Sequence, residues 1–324
     1  MIAKTDYAYA VTAVRVRETS LLTSADLERM AELPTVEAAA EYLRSRGWHI
    51  PSGATDISSV LRAELVATWD FLTEIAPDIS ILHPMIVRKD FHNLKAAIKS
   101  RLSGIPTDSY FLSPGIVSQD LIREAVDTKT YDLLPNPLRD AGEQAYDVLV
   151  RTGDGQLADI IIDRVTLDEI LRAAKATENE LMLRLQTLFC AAADIKTAFR
   201  AARMKKSESF LERAISSCET PDRTKLIATA TAGEAELLAW LGQTEYAEGA
   251  ALLLASPAAF EKWCDDKAVA MTENVKYLFF GPEPLITYYL AKEAEIKNVR
   301  ILLTAMENDL PFDRVSQRLR RMYA

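Results

Sequence analysis

The chain has 324 residues, of which 49% are hydrophobic and 26% charged, and its 11 glycines and 13 prolines are too few for a low-complexity or disordered protein. A formal charge of −9 argues against broad attraction to nucleic acid or to an anionic bilayer, because both require clustered lysine and arginine. The three cysteines form no CxxC pair, so we expect reduced thiols in a cytoplasmic setting, with no disulfide and no zinc site.

The N-terminal stretch MIAKTDYAYAVTAVRVR lacks a basic start followed by an apolar run, so it does not predict a signal peptide. The sequence also contains no uncharged run of about 20 apolar residues, which a membrane-spanning helix requires. Apolar residues instead recur at spacings of three and four, and alternating strand-like runs are scarce. This pattern predicts an all-α protein.

One short element recurs along the chain. It stands in the segments 90–95 (DFHNLK), 191–196 (AAADIK) and 295–300 (EIKNVR), with an abbreviated copy, AVR, at 13–15. Each full copy contains a short polar residue, an apolar residue and a base, and the polar residues lie 101 and 104 positions apart, at Asn93, Asp194 and Asn298. The period is far longer than that of the common helical solenoids, so each repeat would be a small domain.

This repeat predicts three similar helical domains. Their bounds are residues 1–100, 101–205 and 206–324, and the C-terminal helix, within 283–324, is expected to pack near the first domain. Three related domains in one chain suggest a pseudo-three-fold funnel or ring rather than a rod.

Several helix boundaries are predicted from capping and breaking residues, in chain order. Thr166 and Glu169 have the spacing of a capping box, Ser256 before Pro257 offers an N-cap, and the run GPEP at 281–284 should separate two helices.

Candidate chemistry is sparse. The three histidines lie in no nucleophile motif such as GxSxG, which disfavours a Ser or Cys hydrolase. Asp159 and Asp163 share one face of a predicted helix and could in principle hold Mg²⁺, but no second acidic cluster accompanies them, and a solvated acidic face explains them better. We therefore expect no catalytic residue, no cofactor and no metal.

The helix around Asn298 is predicted to be packed on two sides, with Glu295 at the margin of its main apolar face. A buried carboxylate needs a partner, which Asn298 or a base from a neighbouring unit could supply. These polar residues are interpreted as a structural clasp between domains. Basic residues gather near the helix ends; the macrodipole explains this, but the bases could also meet an acidic partner.

In these features the sequence resembles the C subunits of the bacterial and archaeal V/A-type rotary ATPases, which are the counterparts of the d subunit of the eukaryotic V-ATPase. The resemblance is strongest in FGPEPLITYYLAKEAEIKNVRILL and the closing RLRRMY, and it includes VRVRETSLL, EYLRSRGW, DIIIDRV and DIKTAFRAARMKKS. Three positions depart from the family pattern: Asp194 replaces the usual asparagine, Ala191 replaces the acid of the other copies, and Met306 stands where a lysine is expected.

The resemblance implies a non-catalytic central-stalk protein, peripheral on the cytoplasmic face of the membrane. It implies a helical funnel bound to the membrane rotor ring, with a socket for the central shaft that the D and F subunits form, and no contact with nucleic acid. The rival interpretations are an unrelated helical scaffold or adaptor and, more remotely, a metal-dependent helical enzyme. The candidate clasp or partner-interface residues are Asp90, Asn93, Lys95, Lys99, Asp194, Lys196, Arg200, Arg203, Glu295, Asn298 and Arg300.

Overall fold

The computed structural model describes residues 2–51, 56–105 and 110–324. Within these ranges every regular element is an α-helix or a short 3₁₀-helix, which confirms the all-α prediction. The α-helices are α1 Ala8–Glu18, α2 Ser24–Ala31, α3 Val36–Ser45, α4 Ile57–Ile75, α5 His83–Ser103, α6 Gln119–Thr128, α7 Leu138–Thr152, α8 Gly155–Ala176, α9 Glu180–Arg203, α10 Glu208–Ala214, α11 Arg223–Ala232, α12 Glu234–Leu241, α13 Ala247–Ala255, α14 Pro257–Ala270, α15 Glu283–Glu307 and α16 Phe312–Ser316.

The chain divides into two compact units. The first unit comprises Met1–Ile81 and Ser256–Ala324, so it combines the two ends of the chain, and the second comprises Leu82–Ala255. The division into three similar domains, with boundaries near residues 100 and 205, stays a prediction.

In the first unit α15 is the central helix. It packs against α4, α1, α2, α3, α14 and α16. Gly281 has φ +92°, a left-handed conformation that favours glycine, and it turns the chain before α15 begins at Glu283. No glycine or proline interrupts α15 after Pro284, so the helix continues for 25 residues. Its buried apolar residues join those of α2, α3 and α4 in one core.

In the second unit α5, α8 and α9 form the framework. The helix α8 packs against α5, α7 and α9, while α6 covers α5 and α11 covers α9. Side-chain caps fix where two of these helices begin: Asp154 accepts a hydrogen bond from Leu157 N, and Asn179 accepts one from Met182 N. The framework helices α5 and α9 carry the first and second copies of the repeated element.

The predicted helix boundaries are confirmed at two of three places. Ser256 caps α14, accepting a hydrogen bond from Ala259 N, and the GPEP run separates α15 from the preceding 3₁₀-helix. The capping box at Thr166 is wrong, because Thr166 lies in the middle of α8. Its hydroxyl donates to the carbonyl of Ile162 one turn earlier, and Glu169 pairs with Arg172 instead.

Candidate functional site: three polar clasps and the bases beside them

The first copy of the repeated element holds the loop that follows α5. Asn93 is fully buried, and its amide forms a reciprocal pair with Leu112: Nδ2 donates to Leu112 O at 3.0 Å, and Leu112 N donates to Oδ1 at 2.7 Å. One turn earlier, Asp90 accepts a hydrogen bond from Ile116 N, which lies 3.1 and 3.2 Å from its two oxygens. Two polar side chains of α5 thus bind the backbone of the following loop at two places, Leu112 and Ile116.

The loop comes unusually close to Asp90. A Cβ atom built on Gly115 would lie 2.5 Å from Asp90 Oδ1, so only glycine allows this approach without a shift. Burial is the main influence on the carboxyl and raises the pKa of Asp90 to about 7, even though hydrogen bonds from Val117 and Ile116 and the charge of Lys89 act in the opposite direction.

The second copy uses a carboxylate for the same task. Asp194 is buried in α9; its Oδ1 accepts from Ser216 N at 3.1 Å and its Oδ2 from the Ser216 hydroxyl at 2.5 Å. The next amide, Ser217 N, donates to Asp168 of α8 at 2.6 Å. Burial raises the pKa of Asp194 to about 6, with the hydrogen bonds from Ser216 partly offsetting it. Ala191 leaves no second clasping side chain on α9 corresponding to Asp90.

The third copy repeats the reciprocal amide pair of the first. Asn298 of α15 is fully buried; its Nδ2 donates to Arg320 O at 2.9 Å, and Arg320 N donates to its Oδ1 at 2.7 Å. The Arg320 guanidinium also pairs with Asp265 of α14 at 3.0 Å. The C-terminal segment is thereby attached to both α14 and α15.

The three copies therefore share one structural role, which we call the clasp. In each, the short polar residue of a central helix binds the backbone of a segment 19 or 22 residues further along the chain: Asn93 with Leu112, Asp194 with Ser216, and Asn298 with Arg320. Both members of every clasp lie within the same compact unit. The sequence pattern identified the clasping residues but not the segments that they hold.

Glu295 has different partners from those considered for it. Its Oε1 accepts from the Trp48 indole at 2.6 Å and from Lys292 Nζ at 2.7 Å, and its Oε2 accepts from Leu22 N at 3.1 Å. Lys292 also pairs with Glu64 at 2.5 Å. The base is supplied by the preceding turn of α15 itself, and Asn298 is occupied with Arg320.

The buried triad, defined as Glu64, Lys292 and Glu295, joins α4 to α15. All three side chains are at most 5% exposed. Burial alone would lower the pKa of Lys292, but the two carboxylates and their hydrogen bonds outweigh burial and raise it. Lys292 is therefore charged at neutral pH and also lies 4.9 Å from the centre of the Trp48 ring, which favours a cation.

Two of the predicted interface bases pair with the two aspartates that were considered as a metal site. Lys95 Nζ lies 2.5 Å from Asp163, and Lys99 Nζ lies 2.8 Å from Asp159. Lys95 and Lys99 are four residues apart on α5, and the two aspartates are four residues apart on α8. Each pair therefore lies on one helix face, and the two ion pairs connect α5 to α8. Across residues 2–51, 56–105 and 110–324, no group of three His, Cys, Asp or Glu side chains could hold a metal ion.

The remaining candidate interface bases differ in whether they already interact with other groups of the protein. Lys196 is half-buried and has partners within the protein, and Arg203 lies 3.5 Å from Glu234 of α12. Arg200 and Arg300 are exposed, and no described carboxylate forms an ion pair with either. Arg200 lines a cavity of about 110 Å³ beside α10. These two arginines are the candidate interface bases whose charge is not satisfied by any described carboxylate.

Two of the three cysteine thiols, those of Cys190 and Cys218, are not activated. Cys190, Cys218 and Cys264 are buried, and burial raises the pKa of Cys190 and raises that of Cys218 to about 11. Both of these thiols are protonated at neutral pH. Among the helices that the structure describes, none is long and apolar enough to cross a membrane.

Replacing Asn298 with alanine is expected to lower the free energy of unfolding by about 1–2 kcal/mol, because Arg320 N and O lose their partners at a partly buried position. Urea denaturation monitored by circular dichroism would measure the change. Asn308→Ala, at the exposed C-terminal end of α15, is the matched control, and it should cost less than about 0.5 kcal/mol. Equal losses in the two variants would contradict the assignment of a stabilising clasp to Asn298.

Comparisons with known proteins agree with one another. The family model described as ATP synthase (C/AC39) subunit matches residues 10–318. The C subunit of the V-type sodium ATPase of Enterococcus hirae is 25% identical over 317 residues, covering 96% of this chain and 97% of that protein. The C subunit of the A-type ATP synthase of Methanothermobacter thermautotrophicus is 24% identical, covering 91% and 83%. The C subunit of the V-type ATP synthase of Thermus thermophilus is 23% identical over 207 residues, covering 60% and 63%.

Proposed function

Because the chain belongs to the ATP synthase (C/AC39) subunit family, we propose that it is a non-catalytic central-stalk component of a V/A-type rotary ATPase. It seats the central shaft, made of the D and F subunits, on the membrane rotor ring and passes torque between them. It lies peripherally on the cytoplasmic face of the membrane and is held there by protein contacts. It contains no nucleotide site and moves no ion itself.

The observation that carries this proposal is the extent of the family match, which runs from residue 10 to residue 318. A match of this length includes all three copies of the repeated element. The way the polar residues are used is consistent with it: the acids and amides of the repeated element bind backbone or a buried lysine within the protein. Helices whose buried polar groups are satisfied in this way suit a part that transmits force.

The proposed contact with the shaft uses bases that no described carboxylate neutralises. Arg200 lies near the C-terminal end of α9, and Arg300 lies in the C-terminal half of α15. A carboxylate on a partner would gain a charge-assisted hydrogen bond from either guanidinium. Lys95, Lys99 and Arg203 already have acidic partners within the protein, so we place them second as interface residues.

The double variant Arg200→Glu with Arg300→Glu is expected to bind the D–F shaft at least about tenfold more weakly, because two attractive charges become repulsive. Binding of the purified chain to immobilised D–F complex would measure this. Lys225→Glu is the matched control, since Lys225 is exposed and also lacks an acidic partner among the described residues. Undiminished binding by the double variant would rule out these arginines as shaft contacts.

The alternative functions predict different binding behaviour. An unrelated scaffold or adaptor would show no preference for the D–F shaft or the rotor ring over unrelated proteins. A metal-dependent enzyme would bind a divalent cation and lose it when Asp159 and Asp163 are both replaced by alanine. The pairing of these aspartates with Lys99 and Lys95 argues against that cation site.

A further inference from the structure

The first unit displays a cluster of solvent-exposed large apolar side chains, which we call the aromatic strip. Its members are between 52% and 77% exposed: Tyr9, Val16, Tyr277, Phe279 and Phe280. Scattered exposed apolar residues are ordinary, but four aromatic rings and a valine together mark an interaction surface.

The strip has two parts: Tyr9 and Val16 lie on α1, and the other three residues lie in the segment 277–281. Hydrogen bonds to the backbone hold this segment beside α1. The Arg15 guanidinium of α1 donates to Val275 O at 2.6 Å and to Leu278 O at 3.0 Å, and Gly281 N donates to Lys4 O at 3.0 Å. The segment 277–281 therefore runs along α1 in the opposite direction. Its backbone is anchored while its aromatic side chains remain in solvent.

Tyr9 and Val16 belong to α1, the helix along which this segment runs. They are seven residues apart, so they share one helix face about 10 Å long. Arg15, which holds the segment, lies about 100° around the helix from Val16, on the adjacent side rather than the opposite one. The face of α1 that carries Tyr9 and Val16 therefore adjoins the side of the helix along which the segment 277–280 runs.

The rim of the strip carries positive charge. Lys4 and Arg17 are exposed, and neither has an ion-pair partner among the described carboxylates. Arg17 lies instead over the Phe71 ring at 4.7 Å. Of the nearby acids, Glu18 and Glu273 are paired with Arg15 and Arg321, and Asp6 is exposed and accepts a hydrogen bond from Ala3 N. The whole chain carries a charge of −9, whereas Lys4 and Arg17 make this rim locally basic. A basic rim is electrostatically complementary to an acidic rim on a partner.

The position of the strip separates it from the proposed shaft contact. The strip lies just before the N-terminus of α15, whereas Arg300 lies 17 residues after Glu283, the first residue of that helix. At about 1.5 Å per residue the two are roughly 25 Å apart along α15. One helix thus presents an exposed base in its C-terminal half and an apolar surface beside its N-terminal end.

We infer that the aromatic strip is the surface by which this chain docks onto the membrane rotor ring, through a ring surface with an apolar centre and an acidic rim. This inference rests on the proposed function and assigns one face of the molecule to one partner. Apolar rings at the centre and bases at the rim are the usual arrangement of a protein docking site. The overall negative charge of the chain favours a protein partner over anionic lipid.

The test uses the full chain with Phe279→Ser and Phe280→Ser together. Affinity would be measured separately for detergent-solubilised rotor ring, for the D–F shaft, and for protein-free phosphatidylglycerol vesicles. Tyr110→Ser with Leu254→Ser is the matched control, because these two side chains are 62% and 63% exposed in the second unit. Circular dichroism and thermal unfolding would show that each variant retains its fold, as expected for exposed positions.

We expect the strip variant to bind the ring at least about tenfold more weakly and the shaft unchanged, because buried aromatic anchors carry much of the affinity of an interface. Lys4→Glu with Arg17→Glu should also weaken ring binding, more strongly at low salt. Unchanged ring affinity in the strip variant overturns the inference. So does a loss of shaft binding alone, or strip-dependent binding to the protein-free vesicles. If the unaltered chain binds neither ring nor shaft, the proposed function fails as well.

Discussion

Replacing Lys292 with methionine is expected to lower the free energy of unfolding by about 3–5 kcal/mol, enough to remove a large part of the stability of a typical domain. Methionine fills nearly the same space, so the loss is electrostatic. Without the ammonium group, Glu64 and Glu295 are two buried carboxylates that share no counter-charge, and each is at most 5% exposed. Thermal and urea unfolding of the variant would measure the loss.

The same substitution on an exposed lysine of α15 provides the control. Lys297 pairs with Asp265 at 2.7 Å, but its side chain is 45% exposed, so Lys297→Met should cost less than about 1 kcal/mol. A triple variant with Lys292→Met, Glu64→Gln and Glu295→Gln should recover much of the loss, because it removes the buried charges together. If Lys292→Met and Lys297→Met destabilise equally, the buried triad is not the electrostatic centre of the first unit.

Replacing Asp90 with asparagine is expected to stabilise the protein by about 2–3 kcal/mol more at pH 8 than at pH 5. Burial raises the pKa of Asp90 to about 7 in the folded protein, against about 3.9 in an unfolded chain. The folded carboxyl therefore contributes stability that is fully present below about pH 4 and is lost as the pH rises through about 7. Asparagine retains an acceptor for Ile116 N but has no charge to desolvate.

The pH dependence of the difference between wild type and Asp90→Asn is the informative measurement, because titration of all other groups cancels in it. Chemical unfolding at half-unit steps from about pH 5 to about pH 8.5 would give this difference. Asp194→Asn is the comparison variant, and its effect should develop about one pH unit lower, because the pKa of Asp194 is raised only to about 6. A difference that does not change with pH would show that burial does not raise the pKa of Asp90 in the folded protein.

The helical class and the clasping residues were predictable because they depend on local spacing. Apolar residues at spacings of three and four predicted the helices, and the recurring polar–apolar–base element located Asn93, Asp194 and Asn298 in the middle of buried helices. The capping box at Thr166 failed because its spacing also occurs inside a long helix, where the hydroxyl bonds to the preceding turn.

The partners of these residues were not predictable because they depend on how the chain returns in space. The segments that carry Leu112, Ser216 and Arg320 have no common sequence pattern. The indole of Trp48 reaches Glu295 across 247 residues of sequence, which no local spacing can indicate. Lys292 is close in sequence to Glu295, and its three-residue spacing could have identified it as the partner base.

The most direct test of the central claim is capture of this chain, carrying an affinity tag, from detergent-solubilised membranes of cells that express it, with the captured proteins quantified by mass spectrometry. The proposed function predicts that the membrane rotor ring and the D and F shaft proteins are recovered with it in fixed proportion, and that Lys225→Glu changes nothing. Recovery of an intact rotary ATPase from the same membranes without this chain, while the tagged chain is captured alone, would contradict the claim.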